Sequence, residues 1–149
     1  MTGARNSRAV AAGIIGRWLR TGNFVDRLIG GDSEDRGFIV EVVYGTARWR
    51  GLLDWVIASH TRRKPPAIVL PHLYVGIYQL LFLDSVAPHA AVNETVTASR
   101  DAAGPRLAGM VNAVLRKVST DRAALLSRIA GLPLHIRESH PETLSLIHI

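Results

Sequence analysis

An amide beside a carboxylate at Asn93-Glu94, six scattered histidines and a surplus of arginine are what this chain offers for chemistry. Acid–base catalysis works best through positioned titratable groups acting together, and Glu94 has no second carboxylate near it in sequence. The structural reading makes Asn93 a tie between adjacent helices, through Asn112 or a loop backbone, and Glu94 a partner for a helix N-terminus. The histidines are His60, His72, His89, His135, His140 and His148, and no two stand four apart, the spacing that puts two ligands on one helix face. His89 follows Pro88 and reads as a turn residue. The chain has no cysteine, which removes disulfides, thiolate metal sites and thiol nucleophiles.

The cations carry more information. Net charge is +6, and of the 18 basic residues only Lys64 and Lys117 are lysines. Arginine forks onto phosphate and stacks on bases, so the bias suits a nucleic-acid partner; arginine-rich codon usage explains it equally well. Arg5 and Arg8 lie about one helical turn apart off the first apolar stripe, and must face solvent or a ligand. Arg62-Arg63-Lys64 is a loop cluster stiffened by Pro65-Pro66, where phosphate binding and plain solubility compete. Arg48 and Arg50 flank Trp49, a candidate stacking platform whose place on the apolar stripe favours the core. Arg116-Lys117 ends a helix, where cations complement the helix dipole.

These residues need elements to hold them. Val10, Ile14, Ile15 and Trp18 recur at helical spacing between Asn6 and Leu19, and Gly22-Asn23 breaks that helix. Asp32 to Asp35 is an acidic start for a second helical run ending near Ser59. Within it, Phe38–Tyr44 is rich in β-branched residues, but no second strand-like run exists to pair with it, so helix is expected. Ile68, Leu73, Ile77, Leu80 and Leu81 mark a strongly apolar central helix over Ile68–Leu83. Ala90–Ala102, a helix opened by Gly104-Pro105, and Asp121–Ala130 follow. The expectation is all-α: six or seven helices in one bundle, with regular structure ending at Gly131 and Pro133. No apolar run is long enough to span a bilayer and none resembles a signal peptide, so a cytoplasmic protein without a membrane partner is expected.

Five segments in this order resemble a known family. They are Asp35-Arg36-Gly37-Phe38, Tyr44-Gly45-Thr46-Ala47-Arg48, Gly76-Ile77-Tyr78-Gln79-Leu80-Leu81, the run Pro88 to Val96, and the run Gly109 to Arg116. Together they look like the NusB-like RNA-binding domain. More narrowly, they resemble the version at the N-terminus of the RsmB/Sun family of 16S ribosomal RNA cytosine-C5 methyltransferases. The Tyr-Gly-Thr-x-Arg segment, the arginine after Asn112-Ala113-Val114-Leu115, and the continuation into Arg137-Glu138-Ser139-His140-Pro141-Glu142 favour that version. Stand-alone NusB, a transcription antitermination factor on nascent RNA, is the alternative.

The resemblance implies a NusB-like helical bundle whose partner is RNA, 16S rRNA in particular. It implies RNA contact by the arginine-rich N-terminus, at Arg5 and Arg8, and the loop cluster is expected to act with them through at least one of Arg62, Arg63 and Lys64. It also implies a C-terminal methyltransferase domain using S-adenosylmethionine. This chain holds neither part of that chemistry. Methylating cytosine C5 requires a thiolate to attack C6, and there is no cysteine; there is also no strand followed by a glycine-rich turn to seat the methyl donor. No catalytic, cofactor or metal residue is therefore assigned. The expected organisation is an RNA-binding domain over 1–132, the start of a linker over 133–144, and a tail over 145–149 outside the family pattern, which already departs at Thr143.

Overall fold

A computed structural model describes residues 7–23 and 33–133, and within them all regular structure is helical. The helices are α1 (Ser7–Thr21), α2 (Ser33–Arg48), α3 (Arg50–Ser59), α4 (Leu70–Phe82), α5 (Pro88–Ala103), α6 (Pro105–Thr120) and α7 (Arg122–Ala130). Phe38–Tyr44 lies inside α2, as the missing strand partner requires. The single run expected up to Ser59 divides at Trp49, whose backbone (φ −105°, ψ 21°) leaves the helical region although Trp49 N–H still reaches the Gly45 carbonyl.

α4 is the axis of the bundle. Every side chain from Pro71 to Leu81 is buried, and α4 touches each of the other six described helices. A helix that is apolar all round has no solvent face to offer, so its neighbours must enclose it. It begins later than expected. Turns closed by Pro66 and Ala67 carbonyls carry the chain to Leu70, and Ile68, expected on the core stripe, stands half exposed outside the helix. Val10 is likewise 41% exposed rather than on the inner stripe of α1.

Two glycines explain why α4 can sit so close to its neighbours. A Cβ on Gly45 would lie 2.2 Å from Tyr78 Cζ, and a Cβ on Gly76 would lie 2.5 Å from Leu115 Cδ1. The Tyr-Gly-Thr and Gly-Ile-Tyr segments thus mark close packing of α2 on α4 and of α4 on α6. At Gly104 the backbone turns with φ +91°, a left-handed region open to glycine, and Pro105 then starts α6 with its fixed φ. This sharp corner folds α6 back along α5.

Candidate nucleic-acid interface

Arg5 lies outside the described residues. Arg8 does not stand in solvent as its place off the apolar stripe suggested. Its Nε donates to Gln79 Oε1 at 2.8 Å and its Nη1 to Glu94 at 2.7 Å. Its guanidinium also lies 4.9 Å from the centre of the Phe38 ring, and its side chain is 14% exposed. One arginine therefore ties α1 to α2, α4 and α5. Burial pulls its pKa down and Glu94 opposes that shift. Gln79 is itself buried, and its amide donates to Thr95 Oγ1 and to the Val75 carbonyl, so Arg8 completes a polar network inside the bundle.

This corrects the role expected for Glu94, whose carboxylate serves Arg8 and not a helix N-terminus. The tie expected between Asn93 and Asn112 is replaced by a shared opening. Asn112 Oδ1 accepts from Arg116 Nε at 3.2 Å, and both asparagines line a cleft of about 390 Å³ with Arg100 and Arg116. An adjoining cleft of about 440 Å³ shares Asn93 and Arg116 and adds His89, Ser119 and Thr120. Among the described residues no carboxylate lines either opening.

Arg62, Arg63 and Lys64 are exposed, and no described acid pairs with them. They rim a cleft of about 430 Å³ that continues past the buried Pro65 to Ile57, Ala58, Leu70, Arg50, Asp54 and Tyr74. Tyr74 donates its hydroxyl to Asp54 Oδ1, and Arg50 Nε donates to the Tyr74 oxygen at 3.4 Å. Burial, then the Asp54 charge, pushes the Tyr74 hydroxyl well above its ordinary pKa, so it stays a proton donor. Arg50 completes the triangle 3.8 Å from Asp54, and its guanidinium covers Trp18 at 5.5 Å.

The structure does not bring Arg8 to this loop. Arg8 meets α4 at Gln79 and the loop cleft meets it at Leu70 and Tyr74, so the two ends are separated by up to about 14 Å of helix rise. Trp49 packs partly buried against the core: it stacks on Phe82 at 5.5 Å, with Arg48 over its ring at 5.4 Å. The sequence singled out Arg50 only as a flank of Trp49 and missed Asp54 and Tyr74; Arg50 and Asp54 are one turn apart on α3, and packing of α3 on α4 brings Tyr74 to them.

His72 is buried, its Nδ1 lacks a hydrogen-bond partner, and desolvation lowers its pKa. It lines a groove of about 720 Å³ bordered by Gly13, Gly16 and Leu19 of α1 and Ala98 and Ala102 of α5. Among the described residues no group of three or more potential ligands could hold a metal ion, and no helix is long and apolar enough to cross a membrane.

The NusB family model matches residues 5–120. A ribosomal RNA small subunit methyltransferase B of Pseudomonas putida is 34% identical over 142 residues, covering 93% of this chain and 32% of the relative. The protein of the same name from Yersinia enterocolitica is 31% identical over 143 residues, covering 91% of this chain and 33% of the relative. A putative methyltransferase of Mycobacterium tuberculosis is 45% identical over 96 residues, covering 62% of this chain and 20% of the relative. The chain thus spans about a third or less of these relatives' length.

Proposed function

The chain belongs to the NusB family, and on that premise we propose that it is the RNA-binding part of a 16S rRNA cytosine-C5 methyltransferase. The observation that carries this reading is the basic rim of Arg62, Arg63 and Lys64, paired with no acid among the described residues, above a cleft in a chain similar to proteins named ribosomal RNA methyltransferases. Its role is to hold ribosomal RNA in the cytoplasm for a catalytic domain that carries the thiolate and the S-adenosylmethionine site. This chain has no cysteine to attack cytosine C6, and its described residues supply no strand on which a methyl-donor loop could be built. The RNA-binding unit comprises 1–132, the linker 133–144, and the tail 145–149 belongs to neither.

Within this reading Arg62, Arg63 and Lys64 contact phosphate, together with Arg5, and Arg8 acts by holding α1 in place. Affinity of the purified chain for 16S rRNA fragments, measured by fluorescence anisotropy against salt, tests it. The logarithm of affinity should fall linearly with the logarithm of salt concentration. Each lost phosphate contact should flatten the slope by about 0.7–0.9, so R62A/R63A/K64A should flatten it by about 2. Absence of binding at low salt, or binding indifferent to salt, would overturn the reading.

A further inference from the structure

We infer that the cleft behind Arg62, Arg63 and Lys64 takes one unstacked guanine of a single-stranded RNA, with its Watson–Crick edge on the Asp54 carboxylate. The inference rests on the RNA-binding reading and adds a base-reading site to it. The cleft, about 430 Å³, falls within the roughly 300–1,000 Å³ typical of small-molecule sites. Its walls are Ile57, Ala58, Pro65 and Leu70, apolar surfaces suited to the face of a base. Its mouth is cationic and its interior carries the Asp54 carboxylate beside Arg50.

That combination is specific. A carboxylate behind three cations repels phosphate, so phosphate binding alone gives no reason for it. It is well placed to accept hydrogen bonds from a base whose phosphates rest on the rim. Sequence-specific RNA recognition takes this form, with a splayed base read on its edge and backbone charge met outside. Asp54 is half exposed; Tyr74 donates to its Oδ1 and orients it, Arg50 lies 3.8 Å from its Oδ2, and each oxygen keeps a second acceptor position.

The donor pattern selects the base. A carboxylate offers two adjacent acceptors. Guanine alone among the four bases presents two adjacent donors, N1–H and the N2 amino group. Adenine and cytosine each offer one amino donor beside an acceptor nitrogen, and uracil offers one N–H between two carbonyls. Pro65 stiffens the loop, which lowers the ordering cost of holding rim and cleft in register.

The test uses the full chain and three short strands: oligouridine, the same strand with one central guanosine, and the same strand with inosine there. Inosine keeps N1–H and lacks the N2 amino group. The guanosine strand should bind about tenfold more tightly than the other two, the low end of what hydrogen bonds to a charged group contribute. D54N should erase that preference. A58F, which fills the cleft from an exposed helical position, should erase it as well and keeps the test valid if D54N fails to fold by circular dichroism. R62A/R63A/K64A should weaken all three strands together. Equal, salt-dependent binding of all three strands by the parent chain would overturn the guanine site and leave RNA binding standing. Failure to bind any strand would overturn both. Preference for guanosine surviving in a folded D54N or A58F would place base recognition elsewhere and also overturn the inference.

Discussion

Replacing Arg8 by alanine separates a solvated arginine from a structural one. The guanidinium makes three contacts: buried Gln79 at 2.8 Å, Glu94 at 2.7 Å, and the Phe38 ring at 4.9 Å. Removing it strands the Gln79 oxygen in the bundle, where an unsatisfied buried acceptor costs about 1–3 kcal/mol. The Phe38 contact adds about 0.5–1 kcal/mol. The Glu94 pair adds less than about 1 kcal/mol, because Glu94 is 55% exposed and water screens it. R8A should therefore lose about 2–4 kcal/mol, which lowers Tm by roughly 5–15 °C in a chain of this size. Thermal unfolding followed by circular dichroism reads this directly. In a double-mutant cycle, R8A and Q79L should be strongly non-additive, since each removes the same bond. The sequence alone predicts the opposite, a stability change of about 0.5 kcal/mol or less at an exposed arginine. If R8A unfolds at the parent's temperature, or the two substitutions add, Arg8 is not the tie described and its guanidinium is free for RNA.

Three other expectations follow from particular contacts. G45A and G76A should each lose at least about 1–3 kcal/mol by overpacking against Tyr78 and Leu115, whereas G109A, with nothing within 4 Å of its added Cβ, should gain about 0.5–1 kcal/mol of helix stability; denaturant titration of all three checks it. Burial holds the folded pKa of His72 below its ordinary 6.5, so above that pH both states are neutral and its full contribution is present. As pH falls through 6.5 the unfolded chain takes up the proton first and stability drops, and H72L should remove that part of the pH dependence of unfolding; an unchanged profile would refute it. Deleting residues 145–149 should move Tm by no more than a few degrees, and a larger fall would show that the tail packs on the bundle.

Much of the fold is legible in the chain because helices are local. Apolar residues three and four apart declare α1, α5, α6 and α7 at the right places, and Gly104-Pro105 marks the α5–α6 corner by backbone chemistry alone. The absence of cysteine settles, without any structure, that a cytosine-C5 nucleophile is not here. The five family segments are legible too, but their meaning is not. Gly45 meets Tyr78, Gly76 meets Leu115, and Glu94 meets Arg8 through pairings between helices distant in sequence. They are fold locks, which no spacing rule reveals.

The placement of charge is what tertiary structure alone decides. Helical periodicity says only that Arg8 is off its own helix's apolar stripe; whether that flank meets water depends on what α4 and α5 lay against it, and they bring Gln79 and Glu94. The converse holds at the loop. Arg62, Arg63 and Lys64 are visible in the sequence as a basic cluster, and only the packing of α3 on α4 sets Asp54 and Tyr74 behind them. A side chain's own neighbours determine which way it leaves its helix, and the rest of the bundle determines what it finds there.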